Sequence, residues 1–266
     1  MRKLASMLGA ALVAAGVVAG CGRNVLASGE KKDPPEDATI ALEKHDPAKA
    51  ISILDAALAQ DPTSPQLLSL KALALAQRAG IEPLTLVGKL AAKGTSADSA
   101  SSSKDNGSLI ALFDIMPDAT ASNIQDIDEA VDILARQIAP DDRLSGDTLK
   151  LAIFQTAALV LPLKALDTNH DGKLSLDEIE ALSDTSAESL ILVLGDAAAA
   201  FGVGSGDAGA KAATLLAAHK ADIDAAPGAS PSEKLKNYLA TASGTSVVPG
   251  TATGLGTSTA IGTTLP

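Results

Sequence analysis

An interior built almost without aromatic rings is the tightest constraint on this chain. Of its 266 residues 46% are hydrophobic, yet only 2% are aromatic, with three Phe, one Tyr and no Trp. The core must therefore be assembled from Ala, Leu, Ile and Val. Ala and Leu are strong helix formers, and long alternating Val/Ile/Thr runs are absent. The expected fold is all-α, with enough chain for one or two domains.

Apolar spacing and helix-end signals place the elements. In "DPAKAISILDAALAQDP", Ala50, Ile53, Leu54, Ala57 and Leu58 fall on one helical face. Asp46 suits its N-cap and Pro47 its first turn, and Asp61-Pro62 ends it. "SPQLLSLKALALAQRAG" starts a second helix, with Ser64 as N-cap, Pro65 at the first position and Gly80 as the stop. A short turn joins the two into a hairpin. Further helices are expected at about 148–166, 186–200, 208–224 and 230–242.

The hairpin resembles the tetratricopeptide repeat over roughly residues 34–80. Ala50, Leu54 and Ala57 match the small and apolar positions of that repeat's second helix, and Pro62 its terminal proline. Ala38 and, one repeat length later, Ala72 match the small residue of each first helix. The resemblance implies close helix packing, although the family's bulky aromatics are missing here. A fainter echo aligns "DPAKAISILDAAL" (46–58) with "DIDEAVDILARQI" (126–138), pairing Ala50 with Ala130, Ile51 with Val131, Ile53 with Ile133, Leu54 with Leu134 and Leu58 with Ile138. Either a second, degenerate hairpin or the general likeness of amphipathic helices accounts for it.

The beginning of the chain reads as an address. Arg2 and Lys3 precede the apolar "LASMLGAALVAAGVV", too short and wrongly flanked for a transmembrane helix. "VAGC" follows, and its Cys21 is the single Cys of the chain. This resembles the lipobox of bacterial lipoproteins. The resemblance implies that residues 1–20 are removed, that Cys21 becomes the mature N-terminus, and that it carries lipid. Gly22, rather than Asp, implies the periplasmic face of the outer membrane if the envelope is Gram-negative. The alternative is a small Cys within an ordinary signal peptide, cleaved or left as an anchor. Several acyl chains would hold firmly, at roughly 0.8 kcal/mol per buried methylene.

Soft stretches divide the rest. Residues 21–36 read as a tether, because Gly, Lys and a Pro pair interrupt regular structure. Residues 37–93 hold the hairpins, 94–108 form a Ser-rich linker, 109–243 a second helical region, and 244–266 an uncharged Gly/Thr/Ser-rich tail expected to be disordered.

Within 109–243 lies the densest run of carboxylates, "DTNHDGKLSLDE", residues 167–178. It resembles the EF-hand loop, in which oxygens at about positions 1, 3, 5, 7, 9 and 12 surround one calcium ion. By that resemblance the ligands are Asp167, Asn169, Asp171, the backbone carbonyl of Lys173, Ser175 directly or through water, and Glu178. Calcium is a hard cation that takes oxygen ligands, which this donor set supplies. Gly172 sits where the loop turns sharply and positive φ is needed, Leu174 points to the core, and His170 points outward. The single loop lacks the usual partner and differs from the paired loops of dockerins. An unpaired extracytoplasmic site is expected to bind at about 10⁻⁴–10⁻³ M. The alternative is a solvated acidic turn.

The formal net charge of −11 argues against nucleic acid and anionic surfaces as partners, and suits a milieu of divalent cations. Gly204-x-Gly206-x-x-Gly209 has dinucleotide-loop spacing but follows an Ala-rich segment instead of a strand, so a helix-to-helix turn is expected there. His45, His170 and His219 lack metal-ligand spacing. No nucleophile elbow or phosphate loop is present, and no catalytic role is expected. The combined expectation is a lipid-anchored, calcium-binding helical scaffold that contacts other envelope proteins. A purely structural envelope-assembly adaptor is the alternative.

Overall fold

The computed structural model describes residues 33–96, 109–144, 146–203 and 206–243. The expected signal segment, Cys21, Gly22, Gly204, the linker core 97–108 and the tail 244–266 lie outside the described residues. The fold is all-α. Its helices are α1 (Pro34–Glu43), α2 (Pro47–Leu58), α3 (Pro65–Arg78), α4 (Pro83–Ser96), α5 (Ala121–Asp132), α6 (Asp147–Leu166), α7 (Leu176–Glu180), α8 (Asp184–Gly202), α9 (Gly206–Ala225) and α10 (Pro231–Ala242). A 3₁₀ segment, Leu109–Ile115, precedes α5, and a π-turn, Ile133–Gln137, ends it. No strand occurs among the described residues.

Five of these helices open on a proline, because its fixed φ suits the first turn and its missing N–H has no partner there anyway. The same rule corrects the expected tether. The Pro pair starts α1 at Pro34 instead of preventing a helix. The expected linker also begins later, since α4 runs on through Ser96. Asp46 caps α2 by accepting from the Lys49 N–H, whereas Ser64 stands at the N-cap of α3 without a side-chain bond. α1 ends on His45 in the left-handed conformation, with His45 N–H donating to Leu42 O and Asp46 N–H to Ala41 O. Gly80, at φ 83°, ends α3 in the same manner.

α1, α2 and α3 pack on one another through Ala38, Ala50 and Ala72, all fully buried. The missing side-chain bulk lets the helices approach closely. α3 is also covered by α5, so it lies between α2 and the helix whose sequence echoes α2. Ala50 and Leu54 of α2 and their counterparts Ala130 and Leu134 are all fully buried. Lys71 of α3 bridges both helices, 2.9 Å from Asp55 and 3.0 Å from Glu129. Arg78 grips Asp126 of α5 with two bonds of 2.7 and 2.6 Å.

α4 leaves this stack and packs chiefly on α9. α6 is the central helix and contacts α5, α8 and the 3₁₀ segment. It runs through Pro162 to Leu166. By length and composition α6 and α8 could each cross a membrane, but 61% of the apolar stretch of α6 is buried inside the fold, against 33% for α8. Asp147, fully buried at the start of α6, accepts from Ser69 Oγ (2.6 Å), Lys150 Nζ (2.9 Å) and Leu144 N–H (2.9 Å). It thereby ties α6 to α3. The helices on both sides of 97–108 thus share one core.

Candidate functional site

The acidic loop connects α6 to α7. Its first half is three linked side-chain turns of the kind Asp and Asn make with nearby backbone amides. Asp171 N–H lies 3.2 Å from Asp167 Oδ1 and 2.9 Å from Asn169 Oδ1. Gly172 N–H donates to Asp167 Oδ2 at 2.9 Å, and Lys173 N–H to Asp171 Oδ1 at 2.9 Å. The chain reverses on His170 (φ 57°) and Gly172 (φ 76°), where glycine adopts the left-handed region without penalty. His170 is exposed, while Asp167 is buried against the end of α6. Leu174 is buried, and its N–H reaches Ser243 Oγ past the end of α10 at 3.3 Å.

The second half closes the ring. Ser175 caps α7 and forms a reciprocal capping box with Glu178. The Glu178 carboxylate also reaches back to the start of the loop. Its Oε1 accepts from the N–H and the hydroxyl of Thr168, both at 2.8 Å, and its Oε2 from the N–H and the hydroxyl of Ser175, both at 2.8 Å. These donors, the Ser175 amide foremost and then the Thr168 hydroxyl, lower the Glu178 pKa to about 2. Because its folded value lies below its ordinary 4.5, the contribution of the bracket to stability is complete above that value. It is lost as pH falls through about 2.

All six expected ligand residues therefore occupy one closed turn, and their oxygens suit a hard cation in kind. Asp167, Asn169 and Asp171 retain lone pairs beyond those given to backbone amides. Glu178 differs, since four donors engage the roughly four lone-pair sites that a carboxylate has. For it to face an ion, the Thr168 and Ser175 hydroxyls must yield. Among the described residues no three His, Cys, Asp or Glu side chains converge as a metal site requires. A cleft of about 890 Å³ lies beside the loop, lined in part by Phe113, Asp118, Lys164, Thr168 and His170.

The sequence reading missed the Thr168 bracket and the Ser175 cap. The cap was readable as Ser-x-x-Glu ahead of an apolar run, a capping-box signature. The dinucleotide spacing is excluded as a phosphate loop by its setting, since Gly206 opens α9 after helix α8. No protein-family model, curated protein or solved structure matches the chain.

Proposed function

We propose that this protein is a calcium-binding helical scaffold, held at a membrane outside the cytoplasm by lipid on Cys21, which offers tetratricopeptide-like hairpins to other envelope proteins. It is a binding protein in this reading and catalyses no reaction. The observation that carries it is the closed acidic turn, in which Asp167, Asn169 and Asp171 follow one another through linked turns and Glu178 returns to the loop's first residues. Those four side chains, with the Lys173 carbonyl and Ser175, would hold the ion. Bound calcium would neutralise the mutual repulsion of three carboxylates and stiffen the α6–α7 junction, so binding and local folding would be coupled. The stack of α1, α2, α3 and α5, with its buried alanines, supports the scaffold role.

Calorimetry on the mature chain tests this. Wild type is expected to take up one calcium at about 10⁻⁴–10⁻³ M, and Glu178→Gln to lose most of that uptake. Equal binding by both proteins, or none by wild type at millimolar calcium, would refute the proposal.

A second reading rests on the four hydrogen bonds of Glu178, which stabilise the loop without any ion. Here the protein is an envelope-assembly adaptor and calcium is incidental. Partner capture that is unchanged by a chelator would favour it.

A further inference from the structure

One titratable side chain lies deep in the fold and far in sequence from the acidic loop. His219 of α9 is 2% exposed. Its Nδ1 is 3.0 Å from the Tyr238 hydroxyl of α10, and its Nε2 is enclosed without a partner. The two rings meet edge to face, with centroids 6.4 Å apart. The same Tyr238 oxygen accepts the Leu109 N–H at 3.2 Å. Leu109 opens the strap of residues 109–116, which follows the Ser-rich stretch in sequence. Leu109, Leu112, Phe113 and Met116 of this strap are buried. Its far end is clamped by Lys164 of α6, whose Nζ donates to Phe113 O (3.1 Å) and Met116 O (2.9 Å). One end of the strap is thus held by a cation, the other by a phenol resting on a buried imidazole.

A neutral imidazole carries one N–H and one bare nitrogen, whereas the protonated ring carries two N–H groups and a charge. In this enclosure a proton would place a charged donor at Nε2 with no acceptor, an arrangement that costs free energy. Among the described residues no carboxylate pairs with the ring, and the titratable group in hydrogen-bond contact with it is Tyr238. The charged residues of the packed helices whose side chains are described, Lys89 on α4, Asp184, Glu188 and Asp196 on α8, and Glu233, Lys234 and Lys236 on α10, are exposed or half-exposed. Asp114 on the strap is exposed as well.

We propose that His219 and Tyr238 form an acid-sensitive latch, in which protonation of His219 expels the imidazole from its enclosure and releases the strap at Leu109. The direction follows from burial, which pushes the imidazole pKa down from 6.5 to about 4. A group depressed in the closed state gives its full stabilisation above its ordinary value of 6.5 and loses it as pH falls to about 4. The Glu178 bracket is complete above 4.5 and is lost only as pH falls through about 2. The two processes therefore separate on the pH axis.

Hydrogen exchange of the full chain at pH 7.5 and 4.5, expressed as protection factors, tests the latch. Opening of the strap is expected to rise roughly 70-fold at the lower pH, while peptides from α6 change less than about threefold. In His219→Gln the strap should respond less than about threefold, because glutamine carries no titrating proton. A titration of the wild-type His219 ring by NMR provides a reading that needs no variant, with a midpoint expected below pH 5. The proposal is overturned by any of four results: unchanged strap protection in wild type, an equal fall in His219→Gln, a fall shared by α6, or a ring midpoint near 6.5.

Discussion

Replacing Lys150 with methionine is expected to destabilise this protein by about 3–5 kcal/mol, the usual consequence of leaving a buried charge without its partner. Asp147 is fully buried and holds Lys150 Nζ at 2.9 Å, Ser69 Oγ at 2.6 Å and the Leu144 N–H. Without the ammonium, two neutral donors remain for a carboxylate that water cannot reach. Methionine keeps most of the lysine's apolar stem, so lost packing contributes little. Typical native stability is only about 5–15 kcal/mol, which makes this single change severe. Replacing both residues, Asp147→Leu with Lys150→Met, should recover much of the loss, because neutral side chains of similar volume often match a buried pair. Urea unfolding of the single and double variants measures both values. A single variant within about 1 kcal/mol of wild type would show that the junction of α3 and α6 is not held by this ion pair.

Truncating Phe154 to alanine is expected to cost a similar 3–5 kcal/mol, for a different reason. Phe154 is completely buried in α6, the helix on which α5, α8 and the 3₁₀ segment converge. With three Phe in the whole chain, no other ring lies nearby in sequence to fill the space. Ala152 and Ala157 of the same helix are fully buried already and too short to extend into a cavity. Denaturant unfolding should show a lower midpoint with an unchanged slope. A loss below about 1 kcal/mol would mean that the neighbouring helices collapse onto the vacancy.

Helix starts were readable because they are local. Pro47 after Asp46, and Pro65 after Ser64, mark α2 and α3 where the structure has them. Pro34-Pro35 misled because a proline pair reads as a breaker, although it stands at the one place where a helix tolerates proline. The echo between 46–58 and 126–138 carried spatial information, since Ala50 and Ala130, and Leu54 and Leu134, are buried alike on helices that flank α3. Nothing in the sequence announced that α4 would leave this stack for α9, because that choice is made by contacts between distant segments. Glu178 was ambiguous for a chemical reason. Ser-x-x-Glu at a helix start and the last positions of a calcium loop demand the same residues. Ligand spacing carries no information on the burial of His219. Its place on the face of Ala212, Leu215, Leu216 and Ile223 was the signal that it is buried.

In the proposed calcium-bound form, residues 167–178 close around one divalent ion and Glu178 exchanges its hydroxyl partners for the metal. Stepwise addition of calcium to the ¹⁵N-labelled mature chain, followed through its amide resonances, tests this most directly. The prediction is saturable shifts concentrated in residues 167–178, reaching half their size at about 10⁻⁴–10⁻³ M calcium. Weak, unsaturating shifts scattered over the acidic surface, or a silent loop at millimolar calcium, would contradict it.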